Sequence, residues 1–167
     1  MEVRIEPMTA GDWLAVRDIY AQGIATRTAT FQTEVPAWPA WDAAHLPEPR
    51  LVARDAGSGR VLGWVALSPV SDRCAYQGVA EASIYVAADA RGQGIGRRLL
   101  GELLAAADRA GIWTVQVGVM AENHPSLALA ERCGFRRVGV RERIGKLDGR
   151  WHDVVLLERR SPVVGTD

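Results

Sequence analysis

Between Asp89 and Leu100 the chain reads Asp-Ala-Arg-Gly-Gln-Gly-Ile-Gly-Arg-Arg-Leu-Leu, just after the alternating stretch Glu81-Ala-Ser-Ile-Tyr-Val. Arg91, Gly94 and Gly96 stand at R-x-x-G-x-G spacing, with Gly92, Gln93, Ile95 and Arg97 completing the turn. Glycines let consecutive amides converge with no Cβ in the way, and a helix start adds unpaired N–H groups and a positive dipole end. Such a cradle suits two phosphates in tandem. It is not the dinucleotide fingerprint, because Leu99 stands where the third glycine belongs, and no Lys-Ser/Thr follows to make a triphosphate loop. Glu81 opens the strand that feeds the turn. Its carboxylate either takes a proton from an ammonium, directly or through water, or is a solvated strand-edge residue. Asn123, four residues after Val119, reads on its own as a helix cap.

The elements around these residues follow from spacing. Glu81–Val86 is a strand, and Leu99, Leu100, Leu103, Leu104 and Ala107 give the helix after the turn an apolar face. Val3 and Ile5 alternate with charges as a first strand. Thr9 and Asp12 form a capping-box pattern ahead of Trp13, Val16, Tyr20 and Ile24 at helical spacing. Segment 27–49 carries Pro36, Pro39, Pro47 and Pro49, which exclude one long helix and leave room for a brief helical turn around Trp41–Leu46. Leu51–Arg54 and Val61–Leu67 flank Asp55-Ala-Gly-Ser-Gly as a hairpin. Trp113–Val119 alternates as the next strand. Pro125 opens a helix that ends at Cys133-Gly134, so burial at a helix end, not covalent catalysis, is the expected role of Cys133.

Phe135–Arg143 and His152–Arg159 read as two closing antiparallel strands. The basic run Arg136, Arg137, Arg141 and Arg143, interleaved with Val138 and Val140, reads as the solvated face of the first. The order predicts an α+β fold, a mostly antiparallel sheet with helices after the first, fourth and fifth strands. One domain over residues 1–160 and a loose tail over 161–167 are expected.

Composition narrows the function. A chain of 167 residues, 48% hydrophobic, buries one core and is short for two. Twenty basic and twenty acidic residues cancel, with no basic stripe for a nucleic acid. Two cysteines, Cys74 and Cys133, show neither metal spacing nor a disulfide framework, which fits a reducing cytoplasm and no metal. Met1-Glu2-Val3-Arg4 lacks an apolar signal region, and no stretch reaches membrane-spanning length. A cytoplasmic protein with no membrane partner is expected.

The strand, R-x-x-G-x-G turn and helix resemble the coenzyme A signature of the GCN5-related N-acetyltransferases (GNAT). That resemblance implies the GNAT fold, with about six to seven strands and about four helices, and acetyl-CoA as the acetyl donor. It implies that strands four and five splay apart. The cofactor arm would then pair along Ser83, Ile84, Tyr85 and Val86, its pyrophosphate would lie on Arg91–Arg97, and Asn123 would contact it. A closer likeness lies upstream. Arg73-Cys-Ala75-Tyr76, four residues, then Glu81-x-x-Ile84-Tyr85-Val86 is similar to the phosphinothricin and methionine sulfone acetyltransferase subfamily. Thr28-Ala-Thr-Phe31, Ser126-Leu-x-Leu129 and Gly149-Arg-Trp151-His-Asp153 extend the match over about residues 3 to 158.

The resemblance makes Glu81 the general base and Arg73 the grip on the substrate carboxylate, with Ala75, Tyr76 and Phe31 walling the substrate pocket. An arginine fork meets a carboxylate with two hydrogen bonds. The bland alternatives are a surface arginine and a core phenylalanine. Ala130 stands where some members carry a histidine, which leaves Glu81 as the leading base, and Tyr85 or a water remains to protonate the thiolate. The expected activity is N-acetylation of a small amino-acid-like amine by a homodimer. The competing readings are acetylation of a protein N-terminus and an acyl-CoA sensor without turnover.

Overall fold

In the computed structural model, which describes residues 1–167, seven strands form one sheet. They are β1 (Val3–Pro7), β2 (Arg50–Asp55), β3 (Val61–Pro69), β4 (Val79–Val86), β5 (Thr114–Met120), β6 (Arg136–Leu147) and β7 (Arg150–Arg160). Their order across the sheet is β1-β2-β3-β4-β5-β7-β6, and only β4 and β5 run parallel. Helices α1 (Trp13–Ala25), α3 (Ile95–Arg109) and α4 (His124–Arg132) follow β1, β4 and β5, as the element order predicts, and α2 (Trp38–Ala44) lies before β2.

β3 is buried from Val61 to Leu67 because helices cover both of its faces. On one side α3 lays down Leu99, Leu100, Leu103, Leu104 and Ala107, each buried leucine contributing about 1.5–3 kcal/mol. On the other lie Val16 and Ile19 of α1 and the aromatic group Trp13, Trp38, Trp41 and Trp64, with neighbouring ring centroids 5.3–5.8 Å apart. Thr9 donates its N–H to Asp12 Oδ2 at 2.9 Å, and Arg54 Nη2 donates to Asp12 Oδ1 at 2.8 Å. The expected capping box therefore forms, but it opens a 3₁₀ turn, and α1 begins only at Trp13. The helical turn expected around Trp41–Leu46 starts at Trp38 instead. Pro39 fits a first turn, where no N–H is needed, and Trp41 is thereby swung fully into the core.

β6 and β7 are longer than their sequence pattern suggests, and they join through Asp148-Gly149, at φ 51° and 77°, in a two-residue turn of positive φ. The basic run of β6 is not one solvated face. Its pairing with β7 slips between Arg137 and Gly139, leaving Val138 as an extra residue. Arg136 and Arg141, an odd five apart, consequently share a face, opposite Glu158 and Val154. The C-terminal tail is fastened as far as Gly165. Ser161 is buried, its hydroxyl accepts the N–H groups of Val163 and Val164, and Arg160 donates to the carbonyls of Val164 and Gly165. No helix is long and apolar enough to cross a membrane.

Candidate active site

β4 and β5 pair over three residues only, Val79 with Thr114, Ala80 with Val115 and Glu81 with Gln116. Beyond that point β4 stays on β3 as far as Val86, while β5 follows β7 as far as Met120. The strands fork, and the β4 edge from Ala82 onward faces the gap with no strand partner, offering backbone donors and acceptors. A cavity of about 420 Å³ occupies the fork. It passes through the sheet, meeting Ile84, Leu100 and Leu129 on the α3 side and Glu81, Tyr85 and Phe31 on the α1 side.

Glu81 sits half-buried at the closed end of the fork, where its Oε1 accepts a hydrogen bond from Gln116 Nε2 at 3.1 Å. In the sequence Gln116 is one of the residues that alternate with Val115, Val117 and Val119. Its only signal there is polar parity within β5, and the register with β4 supplies the meaning. Four residues beyond Glu81, Tyr85 packs between Tyr20 and Trp64, with centroids at 4.8 and 5.1 Å. Burial pushes the Tyr85 phenol well above its usual range, helped by Tyr20 and opposed by Thr30, so the group is a neutral donor. Gly23 of α1 permits this packing, since a Cβ there would lie 2.4 Å from the Tyr85 ring.

At the open end of the fork, Gly92 and Gly94 adopt φ of 76° and 79°, a conformation that disfavours other residues. No atom lies within 4 Å of where a Cβ would stand on either, so the turn borders open space. Gly94 caps α3, whose first amides lack helical partners. Arg91 Nε donates to Val86 O at 3.3 Å, while Gln93 and Arg97 are exposed. Ile95 is buried in the core and offers only its backbone. A Cβ on Gly96 would lie 3.2 Å from Leu129, so this glycine serves the contact of α3 with α4.

Asn123 does two local jobs and also lines the cavity. Its Oδ1 accepts the N–H of Ser126 at 3.4 Å, capping α4, and its Nδ2 donates to Thr28 O at 3.2 Å, tying down the segment that presents Phe31. The Phe31 ring lies against Gly145, where a Cβ would approach it to 2.6 Å, and edge-on to His152 at 6.0 Å. Ser83 lines the cavity along the β4 edge. Arg73, Ala75 and Tyr76 lie elsewhere. They belong to the exposed turn between β3 and β4, with the Arg73 guanidinium 5.5 Å from the Tyr76 ring centroid, and none of the three lines the cavity. Thr30, Met120 and Arg141 do line it, and the sequence did not single them out. Ala130 is buried at the cavity wall. The Cys133 thiol is half-buried and pushed above its ordinary range by that burial, against the pull of Arg97, which removes thiolate character.

The sequence pattern of the acetyltransferase (GNAT) family matches residues 13–135. The phosphinothricin N-acetyltransferase of Alcaligenes faecalis is 38% identical over 158 residues, covering 89% of this chain and 77% of that protein. The L-methionine sulfoximine/L-methionine sulfone acetyltransferase of Pseudomonas paraeruginosa is 31% identical over 166 residues, covering 95% and 94%. The crystal structure of a GNAT superfamily phosphinothricin acetyltransferase from Sinorhizobium meliloti, in complex with AcCoA, superposes with a TM-score of 0.89 at 26% identity, covering 100% of this chain and 92% of that one. A forked sheet with a glycine turn at its mouth, matched over most of its length by such relatives, leaves one assignment: this chain belongs to the acetyltransferase (GNAT) family.

Proposed function

We propose that this protein transfers the acetyl group of acetyl-CoA to the amino group of a small amino-acid-like substrate, of the phosphinothricin or methionine sulfone and sulfoximine type, with Glu81 as base. The observation that carries the reading is Glu81 itself, the only acidic side chain on the cavity wall, at the closed end of the fork. The open space around Gly92 and Gly94 fits the diphosphate of the donor, with Arg91 and Arg97 beside it to meet the charge. The free edge of Ser83–Val86 would hydrogen-bond the pantetheine arm as an added strand would, and Asn123 would meet it from α4. When bound, acetyl-CoA supplies the acyl group as a thioester.

The chain's own residues do the rest. Gln116 holds the Glu81 carboxylate by one oxygen and leaves the other to accept the ammonium proton. Tyr85, kept neutral by burial, retains a proton to donate within the same cavity. Mixing purified protein with acetyl-CoA and a panel of amines, and following thiol release, tests this. Turnover is expected with phosphinothricin and methionine sulfone and not with peptides. Preference for a peptide N-terminus would replace the reading with protein N-terminal acetylation. Acetyl-CoA binding with no amine turned over would leave an acyl-CoA sensor.

A further inference from the structure

Of the residues that line the cavity only two are charged, Glu81 and Arg141. We propose that Arg141 anchors an anion at the far end of the substrate side chain, so that amino acids ending in a phosphinate or carboxylate are preferred over neutral ones of the same shape. The inference rests on the amine-acetylating reading above, in which Glu81 faces the substrate ammonium.

Three observations support it. Of the other arginines of β6, Arg136 pairs with Glu158 at 2.9 Å and Arg137 with Glu131 at 2.7 Å, whereas Arg143 has no side-chain partner but does not line the cavity. Arg141 has neither an ion pair nor a side-chain hydrogen bond, and its planar guanidinium offers five donors suited to a phosphinate or carboxylate. Secondly, the backbone turns it to that face. Strict alternation from Arg136 would send Arg141 to the opposite side of the sheet. The extra residue Val138 reverses the parity and sets Arg141 opposite Val154, in line with Met120. A second slip follows at once, between Arg141 and Gly145, where Arg143 takes φ 44° and its N–H donates to Asp153 Oδ1 at 2.8 Å. Arg141 is thus held between two irregularities, in a short regular stretch.

Thirdly, its position complements that of Glu81. Glu81 lies level with Gln116 and Glu158, whereas Arg141 lies level with Met120 and Val154, four residues or about 13 Å further along the strands and three strands or about 14 Å across the sheet, a gap that the two long side chains narrow from either end. A cavity with an acid at one end and a cation at the other matches a molecule with an ammonium at one end and an anion at the other. A neutral sulfone would find the amine site equally well and would gain little from Arg141.

The test compares wild type, Arg141→Gln and Arg141→Lys on two matched pairs of amines, phosphinothricin against methionine sulfone and glutamate against glutamine. For Arg141→Gln, KM for the anionic member of each turned-over pair is expected to rise at least tenfold. Its kcat, the KM for acetyl-CoA and the kinetics of the neutral member should change less than about threefold, and Arg141→Lys should recover part of the loss. Equal effects on anionic and neutral amines, or no effect on either, overturn the assignment of Arg141 and leave the acetyltransferase reading standing. Failure of wild type to acetylate any of the four overturns both.

Discussion

Replacing Glu81 by Gln removes the proposed base and keeps a side chain of the same length. The structure sets a low stability cost, because the side chain is half-buried and its one hydrogen bond, from Gln116 Nε2 at 3.1 Å, can be accepted equally by an amide oxygen. The loss should stay below about 1 kcal/mol, or about 2–4 °C in Tm for a chain of this size. The catalytic cost is larger. An α-amine with the peptide pKa near 8 is about one-tenth neutral at pH 7, and a free amino acid, whose amine is more basic, is less neutral still, so supplying the neutral form accounts for at least about tenfold, or 1.4 kcal/mol. Proton transfer to a positioned base brings the total to about 10²–10⁴ in kcat/KM. The two contributions separate with pH. From pH 7 to pH 9 the amine deprotonates increasingly unaided, and the deficit should shrink by about tenfold or more, levelling off only above the pKa of the substrate amine. Thiol-release kinetics across that range, with acetyl-CoA affinity followed by calorimetry, make the measurement. Wild-type rates at every pH would refute the role of Glu81, and a Tm fall well beyond a few degrees would refute the claim that the exchange is structurally neutral.

Gly94→Ala places a Cβ in open space but at φ 79°, at a strain of about 1–2 kcal/mol, and acetyl-CoA affinity should fall at least tenfold with helicity retained; undiminished affinity would remove the glycine turn from the donor site. Arg73 lies outside the cavity, so Arg73→Ala decides whether its exposed turn takes part: a substrate clamp predicts a KM for carboxylate-bearing amines higher by about 10–100-fold, or 1.5–3 kcal/mol, and the same loss with the carboxyl amidated would sink the clamp. Gly23→Ala drives a methyl into the Tyr85 ring and should destabilise by about 1–3 kcal/mol while lowering kcat, read by urea unfolding and turnover; an unchanged midpoint contradicts the packing. Burial acts to raise the Asp12 pKa, but the Thr9 N–H and Arg54 outweigh it and leave it lowered. Its stabilisation is therefore complete above the unfolded pKa of about 3.9 and fades as pH falls through the lower folded value, so the stability gap between wild type and Asp12→Asn should be constant above about pH 5 and close below about pH 4.

What could be read directly from the sequence is what the backbone demands locally. Gly94 stands where the chain needs a positive φ, Asn123 where α4 needs an acceptor, and Leu99, Leu100 and Leu103 where α3 needs an apolar stripe. These requirements span a few residues, so residue type and spacing express them, and the strand, turn and helix of the proposed donor site follow with the α+β order around them. The tertiary structure decided which residues face one another. Gln116 meets Glu81 through a register set 35 positions away, and the fork opens because β5 leaves β4 for β7 after three paired residues. Arg73, adjacent to the motif in sequence, ends on an exposed turn outside the cavity, whereas Arg141, within an unremarkable basic run, lines it. The physical reason is the two-residue period of a strand. One extra residue at Val138 exchanges the faces of all that follows, and whether a strand bulges is settled by its partner, not by its own sequence.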